Sequence, residues 1–113
     1  MSLKTKRVYD PPSPEDGYRL LVMQRWPRGV RKGMVDAWER ELAPSKSLRV
    51  AYRSGGMQWE DYARSYLKEV SQKRELLAEV ARRSREQSLT LLCACVDESR
   101  CHRSLLRCLV DSI

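Results

Sequence analysis

The chain has 113 residues, with 22 Lys+Arg against 15 Asp+Glu, a formal net charge of +7, one His and no Asn. A chain this short buries only about two-thirds of its surface on folding, which excludes a second independent core. The longest apolar stretch, Leu89 to Val96, is broken by Thr90 and falls far below the roughly 20 residues needed to span a bilayer. No apolar run follows Met1-Ser2-Leu3-Lys4, so no secretory signal is expected.

Met1-Ser2-Leu3 is set aside as a candidate expression scar, and one domain is expected over residues 1–113. Lys6-Arg7-Val8-Tyr9 is a short strand candidate. Pro11, Pro12 and Pro14 end it, since proline fixes φ and removes a donor. Asp16-Gly17 signals a turn, and Tyr18 to Met23 reads as a mostly buried strand. Trp26-Pro27-Arg28-Gly29 follows as a rigid loop. Met34, Val35, Trp38 and Leu42 recur at helical spacing, which predicts a helix over 33–42 ended by Ala43-Pro44. Ser45 can cap a short helix carrying Leu48, Ala51 and Tyr52, broken at Ser54-Gly55-Gly56.

Trp59, Tyr62, Ala63, Tyr66, Leu67 and Val70 form one apolar stripe of an amphipathic helix, read as core rather than as a base-stacking platform. Leu76, Leu77, Val80 and Ala81 continue the period. Ser88 to Cys95 is nearly continuously apolar and suits a strand covered on both faces. Ser99 is a candidate cap for a last helix with Leu105, Leu106, Leu109 and Val110 inside. The order of elements predicts an α/β fold: a small parallel sheet of about three strands covered by helices, with residues 18–23 and 88–94 adjacent and parallel.

The charge is uneven. Residues 1–56 carry 12 basic and 6 acidic side chains, and the segment from Gly17 to Val35 holds Arg19, Arg25, Arg28, Arg31 and Lys32 without a carboxylate. Such an excess points to an anionic partner. All four cysteines lie between Cys93 and Cys108, and this clustering favours a reducing, cytoplasmic setting over a disulfide-stapled secreted one. Cys93 and Cys108 read as small core hydrophobes.

In a parallel sheet, ligands bind beyond the carboxyl ends of the strands. A helix starting there offers free N–H groups and partial positive charge. Cys101 is then a candidate nucleophile, with a thiol moderately activated beside Arg100 and Arg103. His102 is a candidate acid/base, and Arg103 and Arg100 are candidate anion clamps. The Trp26–Lys32 loop should reach the same end of the sheet, with Arg28 pointing into a shared cleft, Arg31 adding charge and Trp26 a stacking face. Cys93, Cys95, Cys101 and His102 are also four soft donors of the kind zinc takes, but their spacing is not that of the usual ligand pairs. Neither a metal nor a cofactor is therefore expected.

The segments Val8 to Arg19, Trp26-Pro27-Arg28-Gly29, Trp38 through Leu42-Ala43-Pro44-Ser45, and Thr90-Leu91-Leu92 together resemble the domain-of-unknown-function family 488 (DUF488), the YeaO-like proteins. The likeness runs from Arg7 to Leu109. Many members carry Val-Asp-Arg-Leu before the Trp-Pro-Arg-Gly motif. This chain has Val22-Met23-Gln24-Arg25, without the acidic residue. The resemblance implies a small cytoplasmic α/β domain and no particular reaction. Three functions stay open: a binding module for a phosphate-bearing or other anionic ligand, nucleic acid included; a small enzyme built on Cys101 and His102; and a structural or protein-interaction domain.

Overall fold

A computed structural model describes residues 2–113. Four strands, β1 (Leu3–Arg7), β2 (Tyr18–Leu21), β3 (Ala37–Trp38) and β4 (Leu89–Cys93), form one sheet in the order β1-β4-β2-β3. Every neighbouring pair is parallel. The expected adjacency of residues 18–23 and 88–94 is met, with Tyr18 opposite Leu89 and Leu21 opposite Leu92. β4 lies at the centre and is buried along its whole length, as its unbroken apolar run requires. Four helices complete the fold: α1 (Lys46–Arg53), α2 (Trp59–Val70), α3 (Arg74–Glu86) and α4 (His102–Asp111).

The side-chain alternation of the strands divides the core. Leu20, Leu89 and Leu91 pack with Leu48, Tyr62, Tyr66, Leu77, Val80 and Leu106 from the helices. Leu21 and Leu92 face the other way and are covered by Val30, Trp26, Met34, Val35 and Trp38. The helices thus cover one face, while the 22–36 connection with Trp26, together with Trp38 of β3, closes the other.

Several boundaries differ from expectation. The first strand starts at Leu3, earlier than Lys6, and Ser2 contributes its carbonyl to the Leu89 N–H at 2.9 Å. Residues 2 and 3 therefore belong to the fold. The stretch 33–42 is not a helix: short 3-10 turns at Lys32–Met34 and Arg40–Leu42 flank β3. Its apolar residues serve opposite faces, Val35 and Trp38 under the sheet and Leu42 among the helices. Asp36 accepts from the Arg19 N–H at 2.8 Å, and its own N–H donates to the Arg19 carbonyl at 2.8 Å. That exchange draws the segment onto the edge of β2, where extended pairing replaces intrahelical bonds. Ser99 does not cap the last helix. It is bound to Asp97 in a 3-10 turn, and Cys101 is the residue preceding α4. Cys108 is exposed on α4 rather than in the core.

Candidate functional site

β2 and β4 run parallel, so their carboxyl ends meet the start of α4 at one edge of the sheet. Cys93 is the last residue of β4 and Cys95 lies two residues on, which keeps both side chains on the helix-covered side. Cys101 adopts an extended conformation (φ −137°) just before the first turn of α4. These three positions bring the sulfurs of Cys93, Cys95 and Cys101 within 4.8 Å of one another, with Cys93 and Cys95 3.6 Å apart. Nδ1 of His102 stands 3.9 Å from Cys93 Sγ and 3.9 Å from Cys101 Sγ.

His102 is buried, and burial pushes its pKa down, so the ring is neutral. Its Nε2 is 2.6 Å from the Val22 carbonyl oxygen. A carbonyl only accepts, so Nε2 carries the proton and Nδ1 presents its lone pair to the sulfurs. Tyr66 packs edge-on against the ring, with centroids 5.5 Å apart.

Arg103 is 2% exposed and makes no ion pair with a carboxylate among the described residues. Its Nη1 donates to the Cys95 carbonyl at 2.8 Å and approaches Cys101 Sγ at 3.6 Å, while Nε has no hydrogen-bond partner. A buried guanidinium requires a compensating anion, and here the neighbouring groups able to supply it are thiols.

Three thiols this close cannot all ionise freely. Cys93 is held low by Cys101, then by Cys95, with Arg103 adding to the effect. Cys101 is held high by Cys93, by Cys95 and by burial. Its hydrogen bond with Cys101 favours ionised Cys95, but Cys93 and burial outweigh it and leave Cys95 raised. The moderately activated Cys101 expected at the helix start is at odds with this direction, since its two sulfur neighbours and burial raise the thiol. Cys101 is also 1% exposed, whereas Cys95 is half-buried.

Beside the sulfurs opens a cavity of about 500 Å³ lined by Met23, Gln24 and Arg25 after β2, by Ala43 and Pro44, by Arg49, Tyr52 and Arg53 of α1, by Tyr62 of α2, and by Cys93, Ala94, Cys95 and His102. Among the described residues, three arginines and no carboxylate face it. Arg49 donates to the Gln24 side-chain oxygen, while its buried Nε lacks a partner.

The structure brings Cys101, His102 and Arg103 together, as expected. Arg28, Arg31 and Arg100 are exposed and do not line this cavity. Arg28 is linked to the proline loop through its carbonyl, which accepts from the Tyr9 hydroxyl at 2.9 Å. Trp26 packs on Trp38 at 5.3 Å and donates its indole N–H to the Val30 carbonyl at 2.7 Å. That arrangement makes it part of the cover on the far face of the sheet. Arg19 is occupied at the opposite, amino end of β2 by Asp16 and by the Met34 carbonyl. The sequence reading missed Arg49, Arg53 and Tyr52. Their only signal is a basic and aromatic cluster on one turn of α1, which reads equally as a solvated face.

A small parallel α/β domain with a thiol cluster and a basic cavity beyond its strand ends is the class that this geometry defines. The family model described as the active DUF488-N3 subclade matches residues 3–113, and the chain belongs to the DUF488 family. It is 35% identical over 108 residues to the uncharacterized protein YeaO of Escherichia coli K12, covering 94% of each chain. It is 32% identical over 111 residues to the uncharacterized protein Rv3073c of Mycobacterium tuberculosis H37Rv, covering 96% of this chain and 93% of that one. No solved structure matches the chain significantly.

Proposed function

We propose that the chain binds a small anionic molecule in the cavity beyond β2 and β4. The observation that carries this reading is the lining: Arg25, Arg49 and Arg53 face a cavity of about 500 Å³ without a carboxylate. That volume suits a small molecule, and guanidinium groups recognise phosphate or carboxylate through paired N–H donors. Tyr52 and Tyr62, stacked at 4.5 Å, offer an apolar wall for the body of the ligand. The concave site favours a mononucleotide-sized ligand over a nucleic-acid strand, which would track an open groove. A nucleophilic role for a thiol would fall on half-buried Cys95 rather than on Cys101.

The test uses matched probes, adenosine monophosphate and adenosine, in calorimetric titrations of the chain and of an Arg49→Gln/Arg53→Gln variant. The phosphate-bearing probe is expected to bind more tightly than the nucleoside. The double variant should lose at least tenfold in affinity, since a charge-assisted hydrogen bond is worth about 1.5–3 kcal/mol. Equal binding of the two probes, or an affinity untouched in the variant, would overturn the reading. Binding of single-stranded DNA with a steep salt dependence would point to nucleic acid instead.

A further inference from the structure

We propose that Cys93, Cys95, Cys101 and His102 form a four-ligand site for a soft divalent cation, zinc in the first instance. This inference does not depend on the anion-binding reading, because it uses the floor of the cavity rather than its arginine rim.

Geometry supports it. Zinc–sulfur bonds of about 2.3 Å at tetrahedral angles place two sulfurs about 3.8 Å apart. Cys93 and Cys95 stand 3.6 Å apart, and all three sulfurs lie within 4.8 Å of each other. A tetrahedral sulfur–nitrogen edge is about 3.6 Å for a zinc–nitrogen bond of about 2.0–2.1 Å. Nδ1 of His102 lies 3.9 Å from the sulfurs of Cys93 and Cys101, so these two edges need shorten by only a few tenths of an ångström. The Cys101 sulfur, within 4.8 Å of the other two, and the Cys95 edge to His102 close on the ion by larger side-chain adjustment.

The outer groups fit as well. A ligating histidine normally donates its other ring N–H to a carbonyl or carboxylate. Nε2 of His102 already does so to the Val22 carbonyl at 2.6 Å, leaving Nδ1 as a preformed donor. Arg103 supplies the balancing charge, since three thiolates, one dication and one guanidinium sum to neutrality. This balance accounts for a buried arginine that has no carboxylate partner among the described residues.

The donor set selects the metal. Thiolates and imidazole favour zinc, copper(I) or iron over magnesium and calcium, which take oxygen. A Cys93–Cys95 disulfide is a poor rival. Residues two apart in extended chain have Cα atoms separated by about 6.5 Å, near the upper limit for a bridge. Half-buried Cys95 opens the site to the cavity, which gives an ion its approach.

On zinc binding, the sulfurs become coordinated thiolates and their protons pass to solvent. The experiment titrates the full, reduced, chelator-treated chain with cobalt(II) as a spectroscopic stand-in and then with zinc. One equivalent should produce thiolate-to-metal charge-transfer bands and the intense visible bands of tetrahedral cobalt, and zinc should abolish both by displacement. In the same samples, mass-spectrometric alkylation should show zinc protecting Cys93, Cys95 and Cys101 while exposed Cys108 stays reactive. Cys95→Ser should weaken zinc binding by more than about 100-fold, beyond the 10–100-fold typical of lost outer-shell partners. Cys108→Ser should change nothing.

Octahedral cobalt spectra, zinc uptake without protection of the three cysteines, or an unchanged affinity in Cys95→Ser would each overturn the proposal. The alkylation pattern of the unmodified chain keeps it falsifiable even if a variant does not fold. Loss of nucleotide binding in the arginine variant with cobalt coordination intact would separate this site from the anion site.

Discussion

Asp16 and Gly17 fix the amino end of the sheet. Gly17 has φ 63°, and a Cβ there would lie 2.1 Å from the Ser88 carbonyl oxygen. That oxygen accepts the Tyr18 N–H at 2.8 Å, so the close approach starts the β2–β4 ladder and only glycine permits it. Asp16 next to it is buried against Arg19 and Lys6. Burial alone would push its carboxyl up, but the Ser13 N–H, Lys6 and Arg19 outweigh burial and hold it below its ordinary value of 3.8. The pair therefore contributes in full above pH about 3.8, and its contribution is lost as pH falls through the lower folded value. Asp16→Asn leaves Arg19 buried without its anion and should cost about 3 kcal/mol near neutral pH. Thermal melts from pH 7 to pH 2 should show the parent losing stability in acid more steeply than the variant. Parallel pH profiles would remove Asp16 from the account.

Among the elements, α1 is eight residues long, too short to persist alone. Its start is anchored by Ser45, whose oxygen accepts from the Leu48 N–H at 3.2 Å and whose hydroxyl donates to Glu69 of α2 at 2.6 Å. The Ser45 N–H also reaches Glu69, at 3.0 Å. One carboxylate thus ties together the two helices that carry Arg49, Arg53 and Tyr62 at the cavity. Ser45→Ala should cost about 1–2 kcal/mol, the upper part of the range for an N-cap, with a fall in melting temperature of several degrees. It should also weaken ligand binding by loosening α1. An unchanged melting temperature would mean that packing through Leu48 alone holds this helix.

In the whole molecule, β4 is flanked by β1 on one side and β2 on the other, and it is covered on both faces. Opening its hydrogen bonds requires disrupting both cores at once. Amide hydrogen exchange should therefore be slowest across Leu89–Cys93, approaching the rate set by global unfolding. β3, two residues long at the sheet edge, should exchange far faster. Comparable protection in the two strands would contradict a structure built outward from β4. The net charge of +7 is divided by the fold into separate roles. Arg19 and Arg103 are consumed inside, Arg28 and Arg31 sit at the surface, and Arg25, Arg49 and Arg53 reach the cavity. No helix among the described residues is long and apolar enough to cross a membrane.

By itself the sequence determined the central and helical elements. The apolar run from Ser88 to Cys95 suits a strand covered on both faces, found over Leu89–Cys93, and the Trp59–Val70 stripe has the period of a helix packed on one side. It also placed Cys101, His102 and Arg103 at the beginning of the last helix. Tertiary structure decided the rest. The helical spacing of Met34, Val35, Trp38 and Leu42 is satisfied by an edge strand whose apolar residues divide between two faces, since pairing with β2 supplies the backbone bonds a helix would have made internally. The convergence of Cys93 and Cys95 from a strand end with Cys101 and His102 from a helix start has no signature in residue spacing. Distances across a sheet-to-helix junction depend on how the elements pack, and linear separation along the chain does not encode that. Arg49 and Arg53 of the cavity were hidden for the same reason: a cation on an amphipathic helix looks alike in sequence whether it faces open water or a concave site.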